Sequence, residues 1–259
     1  MMPIIIPTRG RPVNQITIKS FPVELRKRTT IVCPAEEVSI ISKLDPLVDV
    51  ISEPSYIRGI GDKRAWIIKN WHTLGYEKIL MVDDDLWFQT RKTPGSTKLT
   101  PISGVELIPE INLLEEKCGP EFPNVGFGTR PFNNTQKDGW RSPGRTSAII
   151  AHYLPITTTM ELGRIRQFED TDLVLQLLRK GYPNAVYDST VQDTKIFTDG
   201  GCNTWRTAEN YNEDLFKLAR FHPDYVGVIP RSSSPRHHTV IKWKLALKDG
   251  QRDRHARVP

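Results

Sequence analysis

Short apolar runs alternate with amphipathic helical stretches along most of this chain, and that alternation restricts its fold more than any other feature. Runs at 3–7, 29–33, 48–51 and 78–82 have the length of buried strands. Others follow at 86–88, 124–128, 147–151 and 185–187. Between them, apolar residues recur at helical spacing over 35–44, 62–74, 104–116, 171–180 and 208–220. The second of these helices reads as starting on Asp62 as N-cap and stopping before Gly75, and the fourth stops at Gly181. Residues 239–247 suit a strand or a helix. Such alternation predicts an α/β domain with a largely parallel central sheet.

The run Lys78-Ile79-Leu80-Met81-Val82 delivers Asp83, Asp84 and Asp85 directly at its end. Open α/β sheets place their ligands at strand ends. Hard carboxylate oxygens suit Mg²⁺ or Mn²⁺, which commonly share their coordination with a ligand's phosphates. A solvated acidic turn is the plain alternative, but three adjacent carboxylates repel one another and favour a cation.

At 259 residues, with 38% hydrophobic and 25% charged side chains, the chain suits a soluble globular protein of one large domain. No apolar run nears the roughly 20 residues of a membrane span, so no membrane role is expected. The start, through Pro7, is too short and lacks the charged region of a signal peptide, and reads as a strand. Cys33, Cys118 and Cys202 form no CxxC pair, so neither disulfides nor a cysteine zinc site is expected, and a reducing cytoplasm is the natural compartment.

The net charge of +6 is unevenly distributed. Residues 231–259 carry eight Lys or Arg against Asp249 and Asp253, which leaves residues 1–230 neutral. The expected organisation is therefore a body, 1–230, with a basic C-terminal extension, 231–259. Excess positive charge of this kind fits a polyanion such as nucleic acid, or else a solubilising terminus.

Several further groups carry chemistry. The loop Pro7-Thr8-Arg9-Gly10-Arg11 follows the first strand, and its arginines suit a nucleotide base or its phosphates. Lys63 and Arg64 lie in the first turn of a helix opened by Gly59-Ile60-Gly61, where cations oppose the helix dipole unless an anion is present. Glu169 and Asp170 precede the helix 171–180; Asp170 or Thr171 suits an N-cap, and a carboxylate there also suits proton transfer. The loop from Arg130 to Arg145 holds Lys137, Trp140 and Arg141 among turn-forming residues. Gly200 and Gly201 precede Cys202 and Arg206, allowing close backbone approach. His238, beside His237 in the basic tail, is a candidate to complete a metal shell, although a tail histidine is more often solvated.

Together these residues resemble the GT-A glycosyltransferases. The carriers are Ile4-Ile5-Ile6-Pro7-Thr8-Arg9-Gly10-Arg11, the Asp83-Asp84-Asp85 DxD motif and the Glu169-Asp170 pair ahead of a late helix. The chain is more specifically similar to the TET/JBP-associated glycosyltransferases, known mainly from phages and kinetoplastids. Lys63-Arg64-Ala65-Trp66-Ile67, the Asp83 cluster, Phe168-Glu169-Asp170, Gly200-Gly201-Cys202 with Arg206, and His222-Pro223-Asp224-Tyr225-Val226 carry that likeness.

The resemblance implies a Rossmann-like GT-A fold with a mixed, mostly parallel sheet. It also implies sugar transfer from a UDP-sugar, UDP-glucose foremost, to a hydroxymethylated pyrimidine in DNA, with Mn²⁺ or Mg²⁺. In that family setting Asp83, Asp85 and His238 hold metal, and Pro7, Thr8, Arg9, Arg11, Lys63, Arg64 and Asp84 bind the donor. Asp170 or Glu169 acts as base, and Arg130, Trp140, Arg141, Gly200, Gly201 and Arg206 meet the acceptor. If the chain is viral, the host cytoplasm is its place of action. The competing readings are a glycosyltransferase for protein, lipid or glycan acceptors, and a non-catalytic DNA-binding module. A haloacid-dehalogenase-type phosphohydrolase fits poorly, because strands precede the aspartates and Trp87 follows them.

Overall fold

The computed structural model describes residues 1–131, 133, 136, 138–194 and 206–256. The chain opens with β1 (Ile4–Pro7), two short helices, α1 (Ile16–Ser20) and α2 (Val23–Arg26), and β2 (Thr29–Cys33). Then come α3 (Ala35–Ile41), β3 (Asp49–Ser52), α4 (Ile60–Thr73) and β4 (Lys78–Val82). Strands β5 (Leu86–Thr90) and β6 (Thr100–Ile102) lead to a 3₁₀ turn, Gly104–Glu106, and α5 (Leu107–Lys117). Next are β7 (Asn124–Thr129), β8 (Trp140–Arg141), β9 (Ile149–Tyr153) and α6 (Leu154–Thr157). The last part holds α7 (Glu169–Arg179), β10 (Ala185–Thr194), α8 (Ala208–Phe221), β11 (Val226–Ile229), β12 (His238–Ile241) and α9 (Trp243–His255).

Among the described residues, ten strands form one mixed sheet in the order β3-β2-β1-β4-β9-β7-β10-β5-β6, with β8 also on β10. Strands β3, β2, β1 and β4 are parallel and make the core of the α/β fold. Beyond β4 the direction alternates: β9 runs antiparallel to both β4 and β7. Strand β10 is parallel to β7 and antiparallel to β5.

Alternation within the strands explains the layers. Ile4, Ile6, Leu80 and Val82 face Ile18, Leu107, Ile111 and Leu114 on one side. Ile5, Ile79 and Met81 face Ile67, Ile68 and Trp71 of α4 on the other. Helix α7 lies deeper than a surface helix. Its Leu173 and Leu177 join the α4 layer, while Val174, Leu175 and Leu178 meet Leu215, Leu218 and Ala246 of α8 and α9. A helix apolar on two sides must be covered on two sides, and the C-terminal segment supplies the second cover.

That segment is tied to the body on both sides of position 230. β12 pairs antiparallel with β11, and Gly250 of α9 lies so close to α7 that an added Cβ would fall 2.0 Å from the Leu178 carbonyl oxygen. Residues 239–247 contain both of the alternatives expected there, the end of β12 and the start of α9.

Three local expectations need correction. Gly59, not Asp62, is the N-cap of α4; Asp62 lies in the first turn, where its Oδ2 accepts a 3.2 Å hydrogen bond from the Arg58 N–H. Gly61 is required because a Cβ there would sit 2.4 Å from the Ile165 carbonyl oxygen. Helix α7 begins at Glu169 with Phe168 as N-cap, so neither Asp170 nor Thr171 caps it. Strand β10 runs to Thr194 rather than ending at Tyr187. Its polar second half, from Asp188 to Gln192, is buried by partners that hydropathy does not reveal, among them Arg91 and Arg141.

Candidate active site

The parallel strands β1 and β4 end side by side, and this places the Pro7–Arg11 loop over the three aspartates. Thr8 is buried and donates its hydroxyl to Asp84 Oδ2. Arg11 Nη1 stands 2.9 Å from Asp84 Oδ1 and 2.8 Å from Asp85 Oδ2. Gln15 Nε2 ties the loop together through Thr8 Oγ1 at 3.1 Å and the Arg11 carbonyl at 2.9 Å. Thr17 Oγ1 donates to the Asp83 carbonyl at 2.6 Å and accepts from Leu86 N, which fixes the turn after β4.

Arg64 joins the strand-end carboxylates to those of α7. Its Nη2 lies 2.5 Å from Asp83 Oδ1, and its Nη1 2.6 Å from Glu169 Oε1. Burial opposes its charge, but Asp83, Glu169 and Asp170 outweigh that effect and hold its pKa above the usual value. The two carboxylate groups expected from separate parts of the sequence therefore meet at one guanidinium. Asp170 accepts from Thr171 N at 2.6 Å through Oδ1, and its Oδ2 faces Arg145 Nη2 at 3.8 Å.

Backbone geometry marks the same place. Among the described residues, the non-glycine residues with left-handed backbone are Ala148 and Phe168. Ala148 (φ 62°) turns its carbonyl onto the Asp83 N–H at 2.7 Å, and Phe168 (φ 64°) starts the helix that presents Glu169 and Asp170. Such conformations cost about 1–3 kcal/mol each and persist where surrounding structure enforces them, commonly at functional sites.

Burial dominates the acidities. Asp84 is pushed up to about 6 by burial, with the Thr8 hydroxyl and Arg11 pulling only part of the way back. Asp85 is raised for the same reason, with Asp83 adding repulsion. Glu169 is pushed up to about 7 by burial, against the pull of Arg64. A small recess of about 30 Å³ opens behind Arg64 and Glu169, lined by Ala65, Ile68, Ile150 and His152 among others. Burial, then the charge of Arg64, lowers His152 to about 3, so its ring is neutral.

Other expected residues lie elsewhere. Lys63 is buried beneath the first loop, with Nζ 2.6 Å from the Thr8 carbonyl and 2.5 Å from Glu53 Oε2. Its ammonium is engaged there, so it holds the loop from behind. Arg9 pairs with the other oxygen of Glu53 and donates to the Ile57 carbonyl at 3.0 Å. Sequence reading missed Glu53; its place just past β3, a parallel strand of the core, was the available signal.

His238 is on β12, with Nδ1 3.0 Å from Arg231 Nη2. Among the described residues no group of three His, Cys, Asp or Glu side chains converges as a metal site. Arg130 bonds Gln89 Oε1 through Nε at 3.0 Å, and Arg141 forks onto Asp188 at 2.7 and 3.1 Å. Trp140 is 39% exposed and packs tilted against Tyr187, with ring centres 4.8 Å apart. In the sheet order β9, β7 and β10 stand between β4 and β8, the strand that carries Trp140 and Arg141. Arg206 is exposed beside Arg236, which bonds its carbonyl at 2.6 Å. Gly200, Gly201, Cys202 and Lys137 lie outside the described residues. Cys33 and Cys118 are free and buried.

A family model over most of the chain sets its class, the glycosyltransferases. The chain belongs to the TET-associated glycosyltransferase family, whose model matches residues 2–201. The family expected from the sequence is thus borne out. The chain has no match among curated proteins.

Solved structures give weak likenesses. One is a protein described as a putative glucose-1-phosphate thymidylyltransferase from Bacillus anthracis, 10% identical over 86% of this chain and 96% of that one, with a TM-score of 0.43. Another is the glycosyltransferase GlyE of Streptococcus pneumoniae, at 15% identity and a TM-score of 0.38, covering 69% of this chain. A third is mannose-1-phosphate geranyltransferase from Thermus thermophilus, at 13% and 0.35, covering 72% of this chain. This chain spans 38% of the GlyE chain and 57% of the Thermus chain. No helix among the described residues is long and apolar enough to cross a membrane.

Proposed function

We propose that the protein moves a sugar from a UDP-sugar, UDP-glucose foremost, to the hydroxymethyl group of a modified pyrimidine in DNA. The observation that carries this reading is the Arg64 bridge, which sets Asp83 and Glu169 within hydrogen-bond reach of one side chain. A donor-side and an acceptor-side carboxylate are thereby held a few ångströms apart, as group transfer requires. The family supplies the sugar-transfer chemistry, and the basic tail suits a nucleic-acid acceptor.

Asp83 and Asp85 fit a divalent cation. Their oxygens are hard donors, and burial holds the pKa of Asp84 and Asp85 above the usual carboxylate range, a cost that a bound cation would offset. Two carboxylates with donor phosphates suffice for Mg²⁺ or Mn²⁺, which keep few protein ligands. Such an ion, when bound, supplies Lewis-acid stabilisation of the departing UDP.

The chain's own residues do the remainder. Lys63 and Glu53 hold the Thr8–Arg11 loop against the nucleotide side, and Arg64 shares the developing diphosphate charge. Glu169 or Asp170 takes the proton of the acceptor hydroxyl as its oxygen bonds to the anomeric carbon and the bond from that carbon to the phosphate oxygen breaks. A hydroxymethyl group inside a duplex is out of reach, so the nucleotide is turned out of the stack. Arg141, Trp140 and the segment from Arg231 onward then meet the strand.

The test is to incubate the protein with Mn²⁺, several UDP-sugars and DNA carrying hydroxymethylcytosine or hydroxymethyluracil, then digest and weigh the nucleosides. A hexose on the modified pyrimidine is expected. Sugar transfer to a protein or glycan but never to DNA overturns the reading.

A further inference from the structure

Arg145 is a cation at the mouth of the site that none of the roles above uses. Its backbone is pinned on both sides. The Gly144 N–H donates to Asn184 Oδ1 at 3.1 Å, and Asn184 Nδ2 donates back to the Gly144 carbonyl at 2.6 Å. Thr146 is fully buried, with Oγ1 2.6 Å from Asn124 Oδ1. Between these anchors the Arg145 side chain is 61% exposed, and its Nη2 covers Asp170 Oδ2 at 3.8 Å. The other oxygen of Asp170 is committed to Thr171, through N at 2.6 Å and Oγ1 at 3.2 Å. Arg145 therefore faces the Asp170 oxygen that Thr171 leaves free.

It differs from the neighbouring arginines. The Arg11 and Arg64 side chains are 10% and 12% exposed, and each lies within 3 Å of two carboxylates. The Arg145 contact is long and solvated, and such pairs contribute little. A phosphate offers a guanidinium a stronger, forked, charge-assisted partner. A rigid backbone with an exposed guanidinium suits capture of an incoming anion, because little order is lost on contact.

We infer that Arg145 binds a backbone phosphate beside the target nucleotide, and that its move from Asp170 to that phosphate uncovers the base only once the acceptor is in place. This rests on the proposed DNA acceptor. In this account Arg145 is a positioning residue: the proton goes to the carboxylate, and the arginine decides when the carboxylate is free.

The test compares wild type, Arg145→Ala and Arg145→Lys on hydroxymethylated duplex over a series of salt concentrations. For Arg145→Ala, kcat/KM is expected to fall about tenfold at low salt. Its dependence on salt, as log against log, should become shallower by about one, the signature of one lost phosphate contact. Arg145→Lys keeps the charge and should restore the slope. The loss should also be smaller on the free hydroxymethylated nucleoside, which has no flanking phosphate. An unchanged slope in Arg145→Ala, or a slope that Arg145→Lys fails to restore, overturns the inference alone. A wild-type protein that glycosylates no DNA with any donor overturns the underlying reading, and the inference with it.

Discussion

Asp84 and Asp172 are almost equally deep, at 6% and 3% exposed, yet their acidities move in opposite directions. Asp84 sits at the end of β4 and is pushed up to about 6, because burial outweighs the Thr8 hydroxyl and a single Arg11 nitrogen shared with Asp85. Asp172 lies one turn into α7. It takes both Nε and Nη2 of Arg164 at 2.9 and 2.7 Å, His222 Nε2 at 2.7 Å and Gln176 Nε2 at 2.9 Å. Burial works against its charge too, but those partners outweigh it and hold the carboxyl below its usual range. The contrast separates framework from site. A carboxylate with a full set of donors anchors the helix, whereas Asp84, with one hydroxyl and a shared arginine, keeps a pKa that burial has raised.

The largest effect expected from this contrast is in Asp83→Asn. It should reduce UDP release in the transfer assay by at least about a hundredfold, with the far-ultraviolet spectrum unchanged. Full activity would erase the functional half of the comparison.

Arg164→Ala attacks the other half. It strips the forked partner from a buried carboxylate and should cost about 2–4 kcal/mol in urea unfolding, since Arg164 is itself one-fifth exposed. A loss below about 0.5 kcal/mol would mean that the α7 network is not structural.

A smaller, graded effect concerns Glu169. Its folded pKa of about 7 lies above the ordinary 4.5, so the folded state holds the proton more tightly than the unfolded chain. Its contribution to stability therefore falls as pH rises from about 4.5 to about 7. If Glu169 is the base, kcat/KM rises with pH up to about 7 and then levels, and Glu169→Gln removes that limb. Asp172 acts with the opposite sign: its contribution is full above the ordinary carboxylate range and disappears as pH falls through its lowered value. A pH–stability curve without both slopes would break the comparison.

Much of this was legible in advance. The parallel core strands and the helices α4 and α7 follow from apolar spacing, with Gly75 and Gly181 closing those two helices in left-handed backbone at φ +88° and +82°. The DxD position and the Glu169–Asp170 pair were legible as carboxylates at the ends of apolar elements. The pairings were not. Arg11 was expected to meet a nucleotide but lies against Asp84 and Asp85, 73 and 74 residues away in sequence. Arg64 spans 105 residues to Glu169. Nor could spacing show that Lys63 lies behind the loop, or that β9 enters antiparallel between β4 and β7, because an apolar run reports burial and carries no direction.

What the amino-acid order determined by itself is local: which segments bury a face, where they stop, and which charged groups stand at their ends. Those are matters of neighbours three or four residues apart, governed by periodicity and capping. Tertiary structure decided which of those charges are satisfied. Solvation and pairing depend on distances between residues brought together only when the sheet assembles. The same side chain, an aspartate at the end of a strand or in the first turn of a helix, became a partly compensated carboxyl at Asp84 and a fully paired joint at Asp172.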